Sequence, residues 1–229
     1  MPKIVDKEFG EITIRRNGLT RNLRISISPS GGVRVSSPSI LPVAIVKQYV
    51  NASRNKIRQL LNNSSSEHTY TDGEQVGKEH AIHIKPGASL MASRHGKLIS
   101  LTMPNEYSVE DSSVQQLLRK EAGIALRLEA KKYLPRRLEA LANTMNVNYA
   151  KVRLSHASSR WGSCSSSGTI SLNIALMKLP YELIDYVLIH ELSHVTHMNH
   201  SKFFWLEVAQ YDPYFKRHRT DLKKYTPSI

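Results

Sequence analysis

The sequence predicts an α+β fold, with a strand-rich N-terminal part over residues 1–105 and a mainly helical part over residues 106–229. Three observations predict it. From Glu11 to Val35 apolar and polar residues alternate, which is the period of strands with one buried face. Between 109 and 146, Leu117, Leu118, Ile124, Leu128, Leu134, Leu138 and Leu141 recur at helical spacing. Finally, the apolar run YVLI at 186–189 leads without a charge into HELSHVTHMNH at 190–200, so a histidine-rich segment continues an apolar helix.

Taken in chain order, EITIRRNGLTRNLRISISPSGGVRVSSP carries turn signals at NG, 17–18, and PSGG, 29–32, and is expected to form an antiparallel strand set. Pro42 then opens a stretch in which Val43, Val46, Val50, Ile57, Leu60 and Leu61 fit one helix packed on those strands. The polar segment 62–74 reads as a loop, and HAIHIKP and KLISLTMP as two short strands that close the first part near Pro104. The 109–146 pattern reads as two helices broken or kinked at Pro135, because a proline lacks the amide donor and crowds the preceding turn. VRLSH and TISLN are strands flanking RWGSCSSSG, and LPYELIDYVLIHELSHVTH is a helix opened by Pro180 with Glu182 and Asp185 near its start. SKFFWLEVAQYDPYFKRHRTDLKKY gives a short helix, a break at Pro213 and a basic terminal helix.

Composition narrows the function classes. No apolar run approaches the roughly 20 residues of a membrane span, and MPKIVDKEFGEITIRRNG lacks the apolar centre of a secretory signal, so a cytoplasmic protein without a membrane partner is expected. The single cysteine, Cys164, excludes a disulfide framework and a multi-cysteine metal site, leaving histidines and carboxylates as ligands. A net charge of +13 favours an anionic partner such as nucleic acid, nucleotide or an acidic surface, although no uninterrupted basic tail is present.

On a helix, His190 and His194 lie four residues apart on one face and can offer two imidazole nitrogens to one ion. Glu191 sits beside that ion, placed to accept a proton from water, which is the HExxH arrangement. His197, seven residues from His190, is displaced by about 10 Å along the axis. If the helix ends at Met198 and Asn199, with Asn in the left-handed conformation, His200 swings back as the third ligand. A merely solvated helix end is the competing reading, and the buried character of YVLI speaks against it.

RWGSCSSSGTISLN followed by LPYELIDYVLIHELSHVTHMNHSKFFW resembles the YgjP-like family of zinc metallopeptidases, relatives of the WLM and SprT-like peptidases. The resemblance covers about residues 150–225 with specific motifs, and RRNGLTRNLRISISPSGGVRVSSP more loosely. It implies a zincin-like C-terminal subdomain with one zinc ion held by His190, His194 and His200, and Glu191 as general base. Members often carry a tryptophan in the helix that reads RNKIRQLL here, a departure that leaves the role of that region open.

Around the motif, Arg160 could hold a substrate carboxylate or phosphate, and an edge strand near the metal could align an extended peptide. His156 could stabilise an oxyanion, and Asn173 could contact substrate or fix the ligand helix. Trp161, Cys164, Tyr186, Phe203, Phe204 and Trp205 are expected to pack, while His68, His80, His83, His95 and His218 have no usable partner spacing. The reaction expected is hydrolysis of a peptide or protein, with the site in the cleft between the two parts. A nucleoside triphosphate is the alternative substrate, from charge and from the nucleotide pyrophosphohydrolase activity that the family resemblance implies, though no Walker-type loop is present. A basic nucleic-acid-associated module is the third.

Overall fold

The computed structural model describes residues 2–18, 22–27, 32–65 and 68–229, and it divides into two compact units, Met1–His68 and Thr69–Ile229. The fold is α+β, as expected. No helix among the described residues is long and apolar enough to cross a membrane.

The first unit holds strands β1 (Lys3–Asp6), β2 (Gly10–Arg16), β3 (Arg24–Ile27) and β4 (Val33–Ser37) in the order β1-β2-β4-β3. The alternation places Ile4, Ile12, Ile14, Ile25, Val33 and Val35 on one face, where they meet Val46, Val50 and Ile57. The set is not wholly antiparallel: β2 and β4 run parallel, because β3 pairs only with the far edge of β4. Most of the expected PSGG turn lies outside the described residues.

The single helix expected after Pro42 is two, α1 (Val43–Ala52) and α2 (Arg54–Ser65), separated at Ser53 with φ −104° and ψ 13°. Helix α2 also takes the first residues of the expected loop. Arg54 bonds Asp6 at 2.8 Å and Glu8 at 2.5 Å, and Arg58 bonds Glu8 at 2.6 Å, which ties the α2 start to the β1–β2 turn. Ile57, in the RNKIRQLL segment, is fully buried and fills the core there.

The second unit begins with β5 (Gln75–Val76), β6 (His80–Pro86), β7 (Met91–His95) and β8 (Leu98–Met103), ordered β5-β6-β8-β7. Only β6 and β8 were legible from the alternation. The sequence reading assigns these strands to the first part, with a boundary at 105; the division lies instead at 68–69. The reason is the helix that covers them. Val76, Ile82, Ile99 and Leu101 share one core with Leu118, Leu126, Leu134 and Leu138 of α3 (Ser112–Met145). Polar bonds reinforce that packing: the buried Glu129 of α3 accepts from the amides of Lys78 and Glu79 and pairs with His80 Nδ1 at 2.6 Å.

Helix α3 runs through Pro135 as one 34-residue element, against the expectation of two helices. Burial outweighs the missing amide bond, since Leu134 and Leu138 on either side of the proline are both fully enclosed. The helix stops at Asn146, whose φ of 53° makes it the one left-handed non-glycine residue among those described. Then come β9 (Lys151–Ser155), β10 (Gly162–Cys164) and β11 (Thr169–Asn173), ordered β10-β11-β9, with β10 as an edge strand inside the RWGSC motif. A 3-10 turn, Ile174–Lys178, leads into α4 (Tyr181–Thr196), α5 (Lys202–Tyr211) and α6 (Phe215–Asp221).

Pro135→Ala restores an amide donor for the Lys131 carbonyl and removes the ring crowding, so it should raise unfolding stability by about 1–3 kcal/mol. Urea denaturation checks this. A lower midpoint would mean that the pyrrolidine ring itself contributes packing the helix needs.

Candidate metal centre

Helix α4 is apolar almost all round: Leu183, Ile184, Val187, Leu188, Ile189 and Leu192 are buried in the core of the second unit. Enclosed on most sides, the helix presents His190 and His194 one turn apart on one face. Glu191 lies between them in sequence and is only 5% exposed. The site residues described below all belong to the second unit.

The helix ends at Thr196, two to three residues earlier than expected, and the chain does not turn through a left-handed Asn199. His197 is extended instead, with φ −127° and ψ 97°. Its carbonyl oxygen lies 3.0 Å from His194 Nδ1. A carbonyl can only accept, so Nδ1 carries the hydrogen and Nε2 of His194 keeps its lone pair for a ligand. The His197 side chain points elsewhere, 3.7 Å from Glu207 Oε2. After two bent residues comes His200, just ahead of Ser201, which caps α5 by accepting from the Phe204 amide.

The three imidazoles converge. One ring nitrogen from each of His190, His194 and His200 lies within 4.8 Å of the others, and His200 Nε2 is 3.2 Å from His190 Nε2. Two nitrogens bound tetrahedrally to zinc at about 2.0–2.1 Å sit about 3.3 Å apart, so the pair already has the separation a shared ion requires. Phe204, fully buried, floors the cluster with ring centroids 4.9, 4.5 and 4.8 Å from the three imidazoles in chain order. Trp205 stacks on His200 at 5.6 Å. Phe203, expected to be core, is 68% exposed, since the α5 helix turns it outward.

Burial, helped by the neighbouring His194, His200 and Arg219, pushes His190 down to about 3, so its ring is neutral at physiological pH. Burial also pushes the Glu191 carboxyl up to about 8, opposed by the positive charge of Arg160. Glu191 Oε2 and His190 Nδ1 are buried without a hydrogen-bond partner among the described residues. A neutral His190, an unengaged Glu191 oxygen and converging nitrogens suit a divalent cation with a nearby proton acceptor.

Strand β10 packs against this carboxylate. A Cβ added to Gly162 would lie 2.6 Å from Glu191 Oε1 and 2.7 Å from its Cγ, so glycine is needed there for close approach. The partner of Gly162 is 29 positions away in the chain and leaves no local signal in the sequence. Cys164 is half-buried, its thiol held protonated by burial and by Glu191, and it stands outside the histidine cluster.

The other candidates separate. Arg160 is exposed and its charge reaches Glu191. His156 is exposed and has no hydrogen bond or ring contact with the three imidazoles. Asn173 is fully buried: its Nδ2 donates to the carbonyls of Ala157 at 2.6 Å, Arg160 at 3.0 Å and Pro227 at 3.0 Å, and its Oδ1 accepts from Ala175 at 3.0 Å. Its carboxamide therefore braces the Arg160 loop and the turn leading to α4, with no atom left for substrate. Arg219, overlooked in the sequence, lies 4.8 Å over Trp205 and lowers both His190 and His200. His218, without usable spacing, pairs with Asp212 at 2.8 Å.

The family model described as "YgjP-like, metallopeptidase domain" matches residues 21–225. Among solved structures, the metallopeptidase zymogen abylysin of Pyrococcus abyssi is similar at 29% identity, covering 39% of this chain and 92% of that one with a TM-score of 0.36. The metallopeptidase zymogen jannalysin of Methanocaldococcus jannaschii is similar at 20% identity, covering 39% of this chain and 93% of that one, also with a TM-score of 0.36. No curated protein sequence matches the chain.

Gly162→Ala should displace the Glu191 carboxylate while sparing the imidazoles. Divalent-metal binding, measured by calorimetry, is expected to persist while hydrolytic turnover falls about 10–100-fold. Unchanged turnover would mean that Glu191 and β10 separate freely and that the close approach is incidental.

Proposed function

This chain belongs to the YgjP-like metallopeptidase family, and from that premise we propose that it is a zinc-dependent peptidase in which His190, His194 and His200 hold one ion and Glu191 moves the proton. The observation that carries the reading is the convergence of His190 Nε2 and His200 Nε2 at 3.2 Å, beside a His194 whose tautomer is fixed by the His197 carbonyl. A zinc ion bound there supplies Lewis acidity, lowering the proton affinity of a water and polarising a scissile carbonyl.

Glu191 accepts a proton from the attacking water and returns it to the leaving amine nitrogen. Its position beside the three imidazoles, enclosed and with one carboxyl oxygen unengaged, suits both transfers. Its enclosure against Gly162 keeps bulk water from solvating the carboxylate.

Edge strand β10 pairs on one side with β11, leaving main-chain groups on the other side to align an extended peptide beside Glu191. Arg160, exposed at the entry to that strand, anchors an acidic group of the substrate. Neither His156 nor Asn173 is given a substrate role. A cytoplasmic setting fits the free thiol of Cys164.

Glu191→Gln should retain about one zinc per chain by elemental analysis and lose peptide turnover by at least about 1000-fold, as removal of a general base from an activated water demands. His194→Ala should lose metal and turnover together. Full activity in Glu191→Gln would rule out the proton-transfer role, and hydrolysis confined to a nucleotide panel would reassign the substrate.

A further inference from the structure

The first unit is unusually basic. Residues 1–68 hold eleven Lys and Arg against four Asp and Glu, so less than a third of the chain carries more than half of its net charge. On the helical side, Arg54 and Arg58 are paired with Asp6 and Glu8. On the other side the charge is arranged differently.

The sheet register fixes that arrangement. In one row Lys3 stands opposite Thr13, Thr13 opposite Arg34, and Arg34 opposite Ser26; in the next, Arg15 stands opposite Ser36 and Ser36 opposite Arg24. These positions alternate with the buried Ile4, Ile12, Ile14, Ile25, Val33 and Val35, so they share the face turned away from the core. Cations and hydroxyls thus form a checkerboard. Lys3, Arg15, Arg34 and Arg24 zigzag between the two rows across all four strands in steps of roughly 8 Å, one strand spacing and one two-residue shift at a time. Lys3 pairs with Glu11 at 2.8 Å, whereas Arg15, Arg24 and Arg34 have no acidic partner among the described residues.

This pattern selects its occupant. Cations on a flat lattice do not converge on one point, so they match a linear polyanion rather than a small anion. Among the described residues the face has no aromatic ring for base stacking, and its one large apolar side chain, Val5, is too little to insert into a membrane. Arginine and hydroxyl donors suit a chain that offers acceptors only, as phosphodiesters do.

We propose that the open face of the β1-β2-β4-β3 sheet docks the phosphodiester backbone of a nucleic acid through Arg15, Arg24 and Arg34, without reading bases. This goes beyond the peptidase assignment and stands independently of it.

The test is fluorescence anisotropy of the full chain with a labelled duplex and a single strand of the same length, each in two unrelated sequences. Affinity should be independent of sequence and fall a few tens-fold between about 50 and 200 mM salt, the dependence of about three phosphate contacts. Combining Arg15→Ser, Arg24→Ser and Arg34→Ser should abolish most of that dependence. Combining Lys131→Ser, Arg136→Ser and Lys216→Ser, which removes equal charge from the second unit, should leave it unchanged. If the triple variant loses its circular dichroism spectrum, the three single variants carry the test, each lowering the salt slope by about one. Equal weakening by both triple variants would reduce the effect to net charge and overturn the proposal. So would competition by polyglutamate, or by phosphatidylserine vesicles, as effective as that of unlabelled duplex.

Discussion

Everything in the second unit turns on enclosing His190 and Glu191 at one end of an apolar helix. Enclosure disfavours charge on both groups: the imidazole stays neutral and the carboxyl binds its proton more tightly. Without a partner, buried polar atoms such as His190 Nδ1 and Glu191 Oε2 are costly to keep. Neighbouring elements hold them there nevertheless. Phe204 presses on all three rings, β10 brings Gly162 against the carboxylate, and the core side of α4 prevents the helix from rotating away.

Each support comes from a different part of the chain. The His197 carbonyl sets the tautomer of His194 through the backbone, so the residue that sequence spacing disfavours as a ligand acts without its side chain. Asn173 joins the Arg160 loop, the turn before α4 and the C-terminal segment through one carboxamide. Positioning and chemistry are thereby separated: the reactive groups sit on α4 and just after it, and the braces come from β10, β11 and α5.

What the sequence made legible was local. HExxH and the apolar run before it place His190, Glu191 and His194 by helical periodicity, whereas His200 lies beyond the helix end and reaches the cluster through the extended His197 and the bend after it. The α+β class follows from alternation in the first unit and helical spacing in the second. Long-range partners were invisible: Glu129 with His80 lie 49 positions apart, and the carboxylate that Gly162 must accommodate lies 29 positions away. The unit boundary was misplaced for the same reason, since strands β5 to β8 resemble those of the first unit and only the covering helix α3 reveals their core. Pro135 misled because its local penalty is real, yet the leucines around it are buried firmly enough to carry the helix through.

The most direct test of the proposed centre is anomalous diffraction at the zinc edge from crystals of the zinc-loaded protein. The account predicts one peak per chain, about 2.0–2.1 Å from Nε2 of His190, His194 and His200, with His194 Nδ1 still bonded to the His197 carbonyl. A peak ligated by His197 or Cys164, or coordination of His194 through Nδ1, would contradict it.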